Sequence, residues 1–187
     1  WDAEFRSDLA QFLDDDLIEA AIDRSRPLEL PPMAEHRYSA FVDASAGRHD
    51  AFTLAIGHRD TDGAVIDLVR ARTPPFDPAS VAAEYADLAR SYGAARVTGD
   101  AFAGEWVAQA FQKAGVAYEK AAKSKSQLYL EGLPAFTRGQ VRLPDHAHLI
   151  RELRLLERRT QRGGRDSVDH PRQGTDDLAN AVFGALQ

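Results

Sequence analysis

Arg37–Gly47 reads RYSAFVDASAG. Tyr38–Val42 alternates large and small side chains, closes on Asp43 and runs straight into small residues, the pattern of a buried strand that delivers one carboxylate at its C-terminal end. An aspartate on so apolar a strand is costly to bury unless it is paired, hydrogen-bonded or bound to a cation. Alone, Asp43 reads better as a turn residue or a helix cap. Its meaning depends on whether other carboxylates reach the same place.

Working outward, Ser45–Asp50 is a polar turn, and Phe52, Leu54 and Ile56 alternate along a second strand, Ala51–His58. Asp62-Gly63 is a two-residue hairpin signal, so Ala64–Ala71 makes a third strand and the three form an antiparallel meander. A Pro-rich break over Thr73–Pro78 precedes a helix over Val81–Tyr92, with Ser80 as its N-cap and Gly93 as its stop. Ala95–Gly99 is a short buried strand, and it too ends on an aspartate, Asp100. A helix over Glu105–Lys113, a strand over Val116–Glu119 and a basic turn over Lys120–Lys125 follow. Helices are expected over Ser126–Phe136 and Pro144–Arg159, with an extended piece at Gly139–Leu143 between them. Thr160–Gly174 is polar, aperiodic and rich in Arg and Gly, a loop or loosely held hairpin. Thr175 then caps a last helix, Asp176–Leu186.

Upstream, Asp2–Ile22 places apolar residues at helical spacing, interrupted at Asp14–Asp16, and Arg24–Pro32 has the look of a linker. The 187 residues are 44% hydrophobic, enough for one domain with an appendage. No apolar run approaches the ~18 residues of a membrane span, and no signal-peptide pattern opens the chain. A start on Trp1 and a single methionine, Met33, suggest a piece of a larger protein. With no cysteine, any metal must be held by oxygen or imidazole, and a reducing compartment is expected. Net charge is −6, which argues against a general polyanion binder, yet residues 1–34 carry 3 basic against 9 acidic side chains and residues 119–172 carry 12 against 7. The basic half is the part that can track phosphates.

Right-handed crossover sets the fourth strand parallel to the first and beside it. Asp43 and Asp100 then end neighbouring strands at the carboxyl edge, where open α/β sheets hold ligands. Asp176 or Asp177, opening a helix packed on that sheet, supplies a third acid. Such clusters repel unless they bind hard cations such as Mg²⁺ or Mn²⁺. Two ions roughly 3.5–4 Å apart are the arrangement suited to phosphodiester cleavage.

The succession YSAFVDASAG, ARVTGDAFAG, SKSQLYLEGLPAFTRGQVRLPD and GGRDSVDHPRQGTDDLANAVFGAL resembles the nuclease domain of the tailed-bacteriophage large terminase subunit. Its most specific piece is the closing DHPRQGTDDLANA. The resemblance implies an α/β fold of the ribonuclease H-like kind, a mixed sheet of three antiparallel strands then parallel ones, flanked by helices. It divides the chain into an acidic helical segment and linker from a missing ATPase domain, residues 1–34, and a nuclease domain, residues 35–187. It implies metal-dependent endonuclease cutting of concatemeric viral double-stranded DNA during packaging in the cytoplasm of the bacterial host. Expected partners are DNA, the ATPase domain of the same subunit, the small terminase subunit and the portal, and no membrane. No G-x-x-x-x-G-K-[ST] is present, so no ATP site is expected in this stretch.

The expected catalytic and metal-holding residues are Asp43, bridging two ions, with Asp100 and Asp177. Asp177 is favoured over Asp176 because it shares a face with Ala181 and Gly184, whereas Asp176 suits the helix end as a capping carboxylate. Asp176 and Asp50 remain further metal candidates. His170 is an auxiliary candidate, and Glu84 reads better as a solvated helix residue. Lys120, Lys123, Lys125, Arg158, Arg159, Arg162 and Arg165 are the expected DNA contacts, to phosphates rather than bases. Tyr129 and Trp106 read as core or interface. Two rivals share these residues: a DNA-docking and motor-contact module whose metal site is incomplete in isolation, and a ribonuclease H-like resolvase or transposase core.

Overall fold

The structure, a computed structural model, describes residues 9–100, 104–160 and 166–187. Its centre is β3 (Tyr38–Asp43), paired antiparallel with β4 (Phe52–Arg59), which pairs antiparallel with β5 (Ala64–Arg72). On the other side β3 pairs in parallel with β6 (Arg96–Gly99), and β6 with β7 (Ala117–Lys120). With β2 (Ile22–Asp23) and β8 (Val141–Pro144) the sheet has seven strands in the order β2-β8-β5-β4-β3-β6-β7. This is the expected mixed sheet.

Alternation along β3 splits the core in two. Ala40 and Val42 face α2 (Pro78–Ser91) and α3 (Glu105–Lys113), while Phe41 faces α6 (Asp177–Ala185) and α4 (Lys125–Thr137). α6 is the central helix: every residue from Leu178 to Ala185 is buried. It lies so close to the sheet that a Cβ at Gly184 would come within 2.1 Å of Phe41 Cγ. At Gly132 of α4 a Cβ would meet the Phe183 ring of α6 at 2.4 Å.

Several elements differ from the sequence reading. Residues 1–8 lie outside the described residues; Leu9–Gln11 is a strand, β1, and only Asp15–Ala21 is helical, α1. Asp14 is the N-cap of α1, so the acidic run starts the helix rather than interrupting one. α5 (Ala147–Leu155) stops four residues earlier than expected, because Glu157–Thr160 is a strand, β9, held between β1 and β10 (Asp166–Asp169). Asp77, not Ser80, caps α2: its carboxylate accepts from the Ser80 amide at 3.0 Å and the Ser80 hydroxyl at 2.6 Å. Thr175 does not cap α6, for the reason given below.

The acidic helical segment expected ahead of the domain is partly woven into the body. β2 pairs in parallel with β8, and Phe12, Leu13, Ile18, Ala21 and Ile22 are all buried in the core that holds α6. Losing the four large side chains, Phe12, Leu13, Ile18 and Ile22, costs about 2 kcal/mol or more each, together comparable with the whole stability of an ordinary domain. A chain started at residue 35 is therefore expected to lack a cooperative thermal transition by circular dichroism. A transition matching that of the full chain would show that Leu9–Asp23 is dispensable.

Candidate metal centre

Asp43 is the last residue of β3. The parallel register pairs Val42 with Gly99, which sets Asp100 beside Asp43 at the carboxyl edge. Across the antiparallel pair, Asp43 faces Thr53, whose hydroxyl donates to the Asp177 carbonyl at 2.7 Å. That bond fixes the start of α6 over the β3–β4 edge. The Ala51 amide donates to Asp177 Oδ2 at 3.2 Å, and Asn180, one turn into α6, donates through Nδ2 to Asp43 Oδ2 at 2.8 Å. Burial pushes the Asp43 carboxyl up to about 7; the Asn180 bond opposes this, and the charges of Asp177, Asp100 and Asp176 add to it. Burial also raises Asp177, against the Ala51 bond and with the charges of Asp176 and Asp50. Four acids thus act on one another at a single edge.

Glu152 of α5 is a buried carboxylate that the sequence reading did not single out. It accepts from the Leu178 and Ala179 amides at 2.8 and 2.9 Å and from the Thr175 hydroxyl at 3.1 Å. It caps α6 from another helix, and this is why Thr175 is not free to do so. Burial holds its carboxyl at about 7 despite these bonds. Glu152 among Leu149, Ile150 and Leu153, and Asn180 inside the apolar α6, were each visible as a polar residue on an apolar face.

Asp176 is 3% exposed and behaves differently from Asp177. Lys125 Nζ lies 2.9 and 3.1 Å from its two oxygens, and the Tyr129 hydroxyl donates to Oδ2 at 2.8 Å. Tyr129 is therefore a core residue with its polar end on the cluster. Asp169, the end of β10, joins Lys125 at 3.0 Å. His170 sits within 3.9 Å of Asp169 and 3.8 Å of Asp176 through Nε2, while its Nδ1 meets the Pro171 carbonyl at 2.7 Å. The structure thus brings His170 to the cluster.

The expected DNA contacts fare unequally. Lys125 is committed to Asp176 and Asp169, Lys123 to Glu131 and Gln187, Arg158 to Asp166 and Arg159 to Glu157. Arg162 and Arg165 lie outside the described residues. Lys120 is exposed at the end of β7. Arg48, in the turn after β3, and Arg172, before α6, are also exposed, and among the described residues none of these three forms an ion pair. Asp50 is exposed on the turn that carries Ala51, where its charge reaches Asp177. Glu84 is half-exposed and pairs with Arg72 at 2.6 Å. Trp106 packs edge-on against Phe52.

The donor chemistry suits a hard cation. It consists of carboxylate oxygens held by the sheet edge and by α6, and the buried Asn180 Oδ1 beside them has no hydrogen-bond partner among the described residues. The Tyr118 hydroxyl is likewise buried without one, and burial, with the charges of Asp100 and Asp43, holds it at about 12. No helix is long and apolar enough to cross a membrane among the described residues.

No protein-family model and no curated protein matches the sequence. Solved structures do match the fold. The large terminase nuclease from thermophilic phage G20c is 20% identical, with a TM-score of 0.75 over 94% of this chain and 96% of that one, and structures of it carry bound magnesium and cobalt. The HK97 bacteriophage large terminase is 15% identical, with a TM-score of 0.74 over 95% of this chain and 43% of that one. A mutant nuclease domain of the large terminase subunit of bacterial virus Sf6, with manganese and beta-thujaplicinol, is 14% identical, with a TM-score of 0.69 over 95% and 99%. The chain has the ribonuclease H-like fold of these large terminase nuclease domains.

Proposed function

We propose that this chain is a divalent-metal-dependent endonuclease that cuts concatemeric viral double-stranded DNA during genome packaging, with Asp43, Asp100 and Asp177 holding two ions, Mg²⁺ or Mn²⁺. The observation that carries the reading is the meeting of these three acids at the edge of β3 and β6 beneath the start of α6, where burial raises the Asp43 carboxyl and the charges of Asp177 and Asp100 add to it. Metal-bound structures of the same fold support it. Bound there, the ions would supply Lewis acidity toward a phosphodiester and its attacking water.

The chain's own residues do the positioning. Asn180 holds Asp43 in one orientation, and the Thr53 hydroxyl and the Ala51 amide fix Asp177 from the β3–β4 edge, the first at its carbonyl and the second at its carboxylate. Glu152 keeps the first turn of α6 in place. Nothing here requires a protein nucleophile. The fold spans 43% of the HK97 large terminase, which supports a role as the nuclease part of a subunit with an ATPase motor, working with a small subunit and a portal in the host cytoplasm.

Digestion of supercoiled plasmid by the purified chain with Mg²⁺ or Mn²⁺, against an EDTA control, tests the reading. Linear product only with the ion supports it; intact plasmid with DNA bound favours the docking module instead. Preference for branched junctions over linear duplex would point to a resolvase. Arg48, Lys120 and Arg172 flank the acids and are free to meet phosphates. Their joint replacement by Ala is expected to lower the slope of log affinity against log salt by about 2–3 for duplex DNA, measured by fluorescence anisotropy. An unchanged slope would remove them from the DNA path.

A further inference from the structure

Outside the three proposed ligands, the molecule carries a second group of potential metal donors: Asp169, His170 and Asp176 each offer an atom within 4.8 Å of the others. A cation is already seated among them. Lys125 Nζ contacts both oxygens of Asp176 at 2.9 and 3.1 Å and Asp169 at 3.0 Å. Its side chain is 28% exposed and that of Asp176 only 4%. We propose that Lys125 is the built-in counter-ion of the acid cluster, which withholds Asp176 from the divalent ions and restricts the ligand set to Asp43, Asp100 and Asp177. The inference rests on the two-ion reading above and says which acids of the cluster take part.

Position and chemistry both support this. Lys125 is the first residue of α4, whose start is fixed by a capping box: Ser124 accepts from the Gln127 amide, and Gln127 Oε1 accepts from the Ser124 amide at 2.8 Å. The adjacent Ser126 hydroxyl accepts from the Val168 amide at 2.9 Å, which seats β10 and hence Asp169 against the same turn. The ammonium is a compact point charge with three donors, and three acceptor oxygens surround it. Tyr129 supplies one further donor to Asp176 Oδ2. Asp176 is thus neutralised and hydrogen-bonded within the protein, as a buried carboxylate must be, whereas Asp177 meets only the Ala51 amide through its side chain among the bonds described. Without the ammonium, Asp169 and Asp176 would face each other as like charges beside an imidazole, a set that recruits a divalent ion.

The test counts bound Mn²⁺ by electron paramagnetic resonance of the free ion, on the full chain and without DNA. Wild type and K125R are expected to bind two ions, K125M three, and K125M/H170A two again. In the wild-type background, D176N is expected to keep two ions and D177N to lose at least one. This second pair stands even if K125M does not fold. A count for K125M equal to that of wild type, or loss of an ion in D176N, overturns the inference. A wild type that binds no ion refutes the nuclease reading itself, and a wild type that binds three shows Asp176 open to metal.

Discussion

Asp43→Asn is expected to lower divalent-ion-dependent plasmid cleavage by at least about 10³-fold, a loss of some 4 kcal/mol of transition-state stabilisation, while the thermal transition persists. The amide keeps the size of the carboxyl but loses the charge that two ions would share. Asp43 also bears neighbours of like charge at this edge, since Asp177, Asp100 and Asp176 all act on it. Relief of the burial cost of the charge and of that repulsion is expected to make the variant more stable than wild type in EDTA at pH 8, by about 1–2 kcal/mol. Lost activity with gained metal-free stability is the expected pair. Cleavage by Asp43→Asn within tenfold of wild type would remove Asp43 from the centre.

The second large effect is on stability against pH. In the folded chain Asp43 and Glu152 keep their protons up to about 7, against ordinary values of 3.8 and 4.5. Between those limits the folded protein binds more protons than the unfolded one, so stability falls as pH rises and levels off above about 7. Each group contributes a loss of at most about 3–4 kcal/mol. In EDTA the urea midpoint is expected to drop by about 1–2 M between pH 5 and pH 8. Mg²⁺ at pH 8 is expected to recover about 2–3 kcal/mol of it at a hundredfold excess over its dissociation constant, because the ion binds the folded form alone. A midpoint that is flat with pH, or that rises, contradicts the placement of these two carboxyls.

Much of the sheet was legible because its signals are local. Alternation in Tyr38–Val42, the Asp62-Gly63 turn and the terminal aspartates Asp43 and Asp100 specify strands, a hairpin and an edge without reference to distant residues. What stayed hidden depends on partners far along the chain. Glu157–Thr160 continues the helical pattern of the preceding leucines, yet its backbone is taken by Leu9–Gln11 on one side and Asp166–Asp169 on the other, and tertiary pairing overrides propensity. Lys125 looked like a phosphate contact because basic residues surround it in sequence; its real partners lie 44 and 51 residues away. Glu152 as a cap for α6 required knowing that α5 packs against α6. Asp177 was placed at the edge by helical spacing alone, and the structure sets it there through Thr53 and Ala51.

The tight seating of α6 bears on when the proposed metal centre exists at all. With a Cβ at Gly184 forbidden by Phe41 and one at Gly132 forbidden by Phe183, the helix has no looser berth from which Asp177 and Asn180 reach Asp43. Assembly of the centre is then the same event as closure of the core. A chain in the course of synthesis, or one transiently opened, presents Asp43 and Asp100 without Asp177, so the nuclease proposed above would be latent until its core closes.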